Sequence, residues 1–148
     1  MNTVQDILKN KGKDTWSILA KATVFDALKL MSEKQIGALM VRDEHGEVAG
    51  IISERDYARK VILLGKTSKH TLVGEIMTPA SQMVAVTPAN TVDECMVIMT
   101  ARHVRHLPVV EESRFTGLVS IGDVVKSIIE DKDVLIAQLN NYISGKYL

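Results

Sequence analysis

Apolar residues recur at helical spacing in two places along this chain. Val24, Ala27, Leu28 and Met31 follow Thr23, while Val92, Cys95, Met96 and Met99 follow Thr91. That rhythm predicts one amphipathic helix in each place. Thr23 with Asp26, and Thr91 with Glu94, predict the N-caps of these helices. After each helix the period changes. The apolar runs "ALMV" and "LPVV" predict strands, and the turns "DEHG" and "EESR" lead to second strands, "VAGIIS" and "FTGLVS". Ser53 and Ser120 then predict the start of another helix in each place. An extended segment ahead of each unit can add a third strand.

The order is therefore written twice. The stretch from Thr23 repeats from Thr91, 68 positions later, and the offset drops to 67 by Gly50 and Gly117, where the second copy has lost a turn residue. The match extends upstream, where "VQDIL" from Val4 echoes "VGEIM" from Val73. This reading divides the chain into repeat one (1–70), repeat two (71–130) and a tail (131–148), with an amphipathic helix expected in the tail before Gly145. "TPASQMVAVTP" from Thr78 reads as an edge strand and "GKTSKH" from Gly65 as an exposed loop. A small sheet with helices on one face needs cover on the other. The expected fold is α/β of the α+β type. Its two pseudo-symmetric repeats each hold a three-stranded sheet with helices, and they pack sheet to sheet.

Composition narrows the function classes. The 18 basic residues balance the 18 acidic ones and aromatics make up 4%, which argues against a nucleic-acid-binding surface. No apolar run approaches the roughly 20 residues of a membrane span, and the N-terminal stretch lacks a signal-peptide core. Cys95 stands alone, which excludes an internal disulfide, so a reducing cytoplasm is the expected compartment. His103, His106 and Cys95 fit no standard metal spacing, and Cys95 lies on an apolar helix face, which predicts a core cysteine. No nucleophile has an evident histidine base, and neither a Walker-type loop nor a zinc-protease motif is present.

"GIISERD", "GLVSIGD", "RHVRHLPVV" and "GEIMTP" together resemble the signature of a pair of cystathionine-β-synthase (CBS) domains, or Bateman module. The resemblance covers almost the whole chain. It implies a stand-alone regulatory module that binds adenosine-containing ligands in clefts between the repeats and signals to a separate protein partner. Chemistry agrees with it. A serine at a helix start lies beside free N–H groups and the positive end of the helix dipole, where a phosphate can sit. An aspartate one turn later can accept hydrogen bonds from both ribose hydroxyls. A single Ser-x-x-Asp reads as a capping box; two symmetric copies in one strand-to-helix setting point to nucleotide contact.

Carried over residue by residue, the resemblance has Ser53 and Asp56 face Thr78, Val84, Arg105 and His106. Ser120 and Asp123 face Trp16, Ile36, Gly37 and Ala38. Backbone groups at Val84, Trp16 and Ala38 read the adenine edge. Arg105 and His106 favour AMP at the Asp56 cleft, whereas Gly37 and Ala38 leave room for ATP or NAD(H) at the Asp123 cleft. No metal is expected. Leftover apolar residues (Val61, Ile62, Leu63, Leu64, Ile128 and Ile129) predict a homodimer. The alternatives are a small nucleotide-processing enzyme using the same clefts and a nucleic-acid-binding regulator.

Overall fold

Hydroxyl side chains mark where the helices begin. In the computed structural model, which describes residues 2–12 and 15–144, Thr3 caps α1 (Val4–Lys11) and Thr23 caps α2 (Val24–Lys34). Strand β2 (Ala38–Arg42) turns into β3 (Val48–Ser53), and Ser53 caps the short α3 (Glu54–Tyr57), which runs on as a π-helical turn over Ala58–Ile62. In the second repeat Thr91 caps α5 (Val92–Arg102), β5 (His106–Glu111) turns into β6 (Arg114–Ser120), and Ser120 caps α6 (Ile121–Ile143). Each capping oxygen accepts from the backbone N–H three residues on, which satisfies a donor the helix cannot. The copies also end alike: α2 and α5 stop at Gln35 and His103, both left-handed at φ 55°.

The two expected three-stranded sheets come out unequal, because the segments ahead of the repeats pair differently: among the described residues one sheet holds four strands and the other two. β1 (Ser17–Leu19) runs parallel to β2, with Ile18 opposite Val41. In the second repeat the equivalent contact shrinks to a parallel bridge between Val86 and Val109. "TPASQMVAVTP" is therefore not one edge strand. Its start forms β4 (Thr78–Pro79), antiparallel to β3, and Val86 joins β5 instead. The second hairpin has longer strands but a shorter turn, Glu112 and Ser113 at φ 50° and 64°, the twist that a two-residue turn between strands requires.

The spatial units and the sequence repeats do not coincide. One unit gathers residues 2–12 and 84–144, and the other residues 15–83. The backbone shows why. Val4 N donates to Asn90 O (2.9 Å), Gln5 N to Pro88 O (3.0 Å) and Val92 N to Asn2 O (2.9 Å). The matching bonds at α4 (Val73–Ile76) are Val73 N to Ala22 O, Gly74 N to Ala20 O and Val24 N to Thr71 O, each 2.8 Å. Each repeat's leading segment thus pairs with the start of the other repeat's first helix.

Two cores result. Val24, Ala27, Met31, Leu39, Val41, Ile52, Val61, Val73 and Ile76 form one. Val4, Ile7, Val86, Val92, Cys95, Met99, Leu107, Val109, Val119 and Val124 form the other. Full burial is worth about 1.5–3 kcal/mol for each large aliphatic side chain. Val61, expected on an exposed apolar surface, is fully buried because the π-helical turn directs it into the first of these cores. Cys95 is a core residue, as its helix face requires, and burial raises its thiol pKa. The tail is not a separate element: α6 runs unbroken through position 131, and Gly145 lies outside the described residues.

Candidate functional site

Each repeat brings a strand end and a helix start together at its Ser-x-x-Asp sequence. In the first, Ser53 N donates to Asp56 Oδ2 (3.0 Å) and Asp56 N donates to Ser53 Oγ (3.3 Å). Ser53 pairs with Ala38 across the hairpin, and Glu54 N donates to Gly37 O (3.1 Å). Ile36, next to them in the chain, packs against the core of this unit. Thr78 lies opposite Ile51 on the neighbouring strand. Lys60, one turn beyond Asp56, places Nζ 3.3 Å from Asp56 Oδ1 and donates to Ile76 O (2.9 Å). Trp16 is exposed, with Lys34 Nζ 4.1 Å from its ring centroid.

The second junction repeats this geometry at the head of a much longer helix. Ser120 N donates to Asp123 Oδ2 (2.9 Å) and Asp123 N to Ser120 Oγ (3.1 Å). His106 pairs with Ser120, and Ile121 N donates to Arg105 O (2.8 Å). Val84 packs against the core of this unit. The cation here comes from far away in sequence. Lys11, at the end of α1, places Nζ 2.8 Å from Asp123 Oδ2 and donates to Leu118 O (2.8 Å).

Charge states follow from these neighbours. Burial works against the Asp123 carboxylate, but hydrogen bonds from Lys11 and Ser120 outweigh it and hold its pKa below the ordinary value. His106 is shifted down, first by burial and then by the nearby Lys11, against an opposing pull from Asp123. At neutral pH the histidine is therefore neutral, and the positive charge at this junction resides on Lys11 and Arg105.

The sequence-identified residues fall into two sets. Ile36, Gly37, Ala38 and Thr78 lie with Ser53 and Asp56, whereas Arg105 and His106 lie with Ser120 and Asp123. Both aspartates close capping boxes, as a lone Ser-x-x-Asp implies. Capping and ligand contact are compatible, since a carboxylate offers about four lone-pair positions. Sequence reasoning missed both lysines. Lys60 was legible as an i,i+4 partner of Asp56. Lys11 carried no such signal, because 112 positions separate it from Asp123. Among the described residues no group of three metal-ligating side chains gathers, and no helix is long and apolar enough to cross a membrane.

Comparison with known proteins supplies the context. The sequence model of the CBS domain matches residues 3–62 and 73–130. The CBS domain-containing protein CBSX3, mitochondrial, of Arabidopsis thaliana is 42% identical over 98% of this chain and 73% of its own length. A CBS-domain protein of Burkholderia ambifaria MC40-6, provisionally named for signal transduction, is 47% identical over 88% of this chain and 96% of its own, with a TM-score of 0.82. The hexameric CBS-CP12 protein from bloom-forming cyanobacteria is 30% identical over 84% of this chain and 70% of its own, with a TM-score of 0.72.

Proposed function

Because this chain belongs to the CBS-domain family, whose members are generally regulatory and ligand-binding, we propose that it senses adenosine-containing nucleotides and signals to a separate protein partner. AMP is the ligand that best suits its chemistry, with ATP or NAD(H) as larger alternatives. Asp56 and Asp123 take the ribose hydroxyls, and the helix starts at Ser53 and Ser120 face the phosphate. Backbone groups at Val84, Trp16 and Ala38 read the adenine edge, as the resemblance implies.

The observation that carries this reading is the symmetric pair of junctions. In both, the backbone cap fixes the orientation of the carboxylate and leaves lone pairs free to accept. Such a pre-oriented acceptor suits a diol, because little rotamer entropy is lost on binding. Lys11 adds positive charge beside Asp123, which favours a phosphate-bearing ligand there. Binding without turnover is the proposed activity, so AMP and ATP incubated with the protein should be recovered unchanged.

Calorimetry with AMP tests the assignment. Asp56→Ala and Asp123→Ala should each weaken binding by roughly ten- to a hundredfold, the size of one lost charged hydrogen bond, about 1.5–3 kcal/mol. 2′-Deoxy-AMP should show a similar loss on the wild-type protein. Wild-type affinity for AMP in both variants would refute the ribose role and leave the aspartates as caps alone.

A further inference from the structure

The two junctions match in sequence but not in what holds their carboxylates. Lys60 reaches Asp56 from four residues along the same segment. Lys11 reaches Asp123 from the last turn of a helix more than a hundred positions away in the chain. A ribose bound at Asp123 needs the carboxylate oxygens, and Lys11 Nζ already sits on one of them. We infer that the Lys11–Asp123 pair is a latch opened by a ribose-bearing ligand, so that binding at the second junction frees the last turn of α1. This inference rests on the ribose assignment above and adds the element that moves.

The way α1 is tied down supports it. Its first turns are held firmly by the Thr3 capping box and by the backbone bonds of Val4 and Gln5. Asn2 Nδ2 adds bonds to Ser127 Oγ and Asp131 Oδ1, both 2.9 Å. Val4 and Ile7 are buried, and Leu8 lies against Gly117. Lys9, Asn10 and Lys11 are exposed. Beyond Leu8, the only side-chain ties of the helix to the rest of its unit, among the described residues, are the bonds that Lys11 makes to Asp123 and Leu118. They stand beside the helix's own closing bond from Gly12 N to Leu8 O (3.2 Å). The chain then leaves at Gly12, at φ 90°, on its way from one unit to the other. Glycine tolerates that backbone without strain and lets the direction of the chain change there.

The strength of the pair also suits an exchangeable contact. Both side chains are partly exposed, at 36% for Lys11 and 21% for Asp123, and such pairs contribute little net stability. A diol donating two hydrogen bonds can replace the ammonium at the carboxylate. Coupling is reciprocal: if the ligand opens the latch, then removing the latch strengthens the ligand. At the first junction Lys60 lies on the same segment as Asp56 and reaches no farther than the carbonyl of Ile76, 16 positions away. That carbonyl is at the end of an α4 anchored by its own backbone bonds, so the second junction is the one that transmits.

Adenosine is the probe, because it carries the diol and no phosphate to be drawn to Lys11. Hydrogen exchange of residues 8–12 should quicken when adenosine saturates the wild-type protein. Asp123→Asn, which keeps a cap acceptor but loses the charge, should quicken the same amides without ligand. Lys11→Met should tighten adenosine binding at this junction by up to about fivefold, the span of a partly exposed ion pair. Unchanged exchange in Asp123→Asn would overturn the latch. So would adenosine that binds, is lost in Asp123→Ala, and leaves residues 8–12 unaltered, an outcome under which the ribose assignment stands. Failure of adenosine and AMP to bind the wild-type protein at all would overturn both.

Discussion

Asp123 serves three neighbours at once: the Ser120 N–H, the Lys11 ammonium and the start of α6. Its pKa is held below the ordinary 3.8, so the stability it contributes is present above that value and lost as pH falls through the lower folded one. His106 acts in a higher window. Its folded pKa lies below 6.5, so protonation costs the folded state more than the unfolded chain. The stability of this region is full above pH 6.5 and declines as pH falls through the folded value. Thermal unfolding from about pH 7.5 to about pH 5.5, across the titration range of histidine, should show a drop in midpoint for wild type that is smaller in His106→Gln. Equal drops would place the acid sensitivity elsewhere. Ser120→Ala removes the cap oxygen and should cost about 1 kcal/mol, read as a lower denaturation midpoint.

Between equivalent elements, small chemical differences decide the geometry. α1 and α4 hold equivalent places in the two repeats, yet α4 stops at Ile76 while α1 continues to Lys11. Pro79 accounts for this, since it holds Thr78 in an extended conformation and ends the helix in time for β4 to form. In α1 the corresponding residues are helix-compatible, and the extra turn delivers Lys11 to Asp123. Gly50 and Gly117 also differ. A methyl on Gly50 would strike the backbone carbonyl oxygen of Thr78, whereas one on Gly117 would meet Leu8 Cδ2, a movable side-chain tip, at 2.8 Å. Gly50→Ala should therefore cost about 1–3 kcal/mol, with Gly117→Ala costing less, as chemical denaturation would show. Equal costs would mean that β4 gives way as easily as a side chain. The helix starts and hairpins were legible because each depends on residues close in sequence. The split of "TPASQMVAVTP" was not, because Pro79 and Val86 find partners in different units.

On the scale of the whole chain, apolar surface remains to be accounted for. Leu139 is 52% exposed, Ile143 80% and Leu63 76%, with Leu135 and Ile136 also open along α6. Exposed residues at this spacing form an apolar stripe over the last turns of the helix, the kind of surface that marks an interface. The cyanobacterial relative is named as hexameric, and for this protein a homodimer is the assembly we propose. Light scattering should give a mass above 16.3 kDa, and Leu135→Glu with Leu139→Glu should shift it toward the monomer. A monomer mass at all concentrations would count against the proposal.

Duplication, caps, turns and the paired Ser-x-x-Asp junctions were determined by sequence alone, because each is set by side chains acting on backbone within a few positions. The family resemblance rested on the same local signals. What only tertiary structure decided was partnership over distance. The leading segment of each repeat crosses to the start of the other's first helix, a choice made by backbone hydrogen bonds and buried faces rather than by residue type. Lys60 was legible as an i,i+4 partner of Asp56, whereas nothing in the spacing pointed Lys11 toward Asp123. One ties a carboxylate on its own segment, and the other ties a carboxylate 112 positions away, because the fold, and not the spacing, sets where the end of α1 lies.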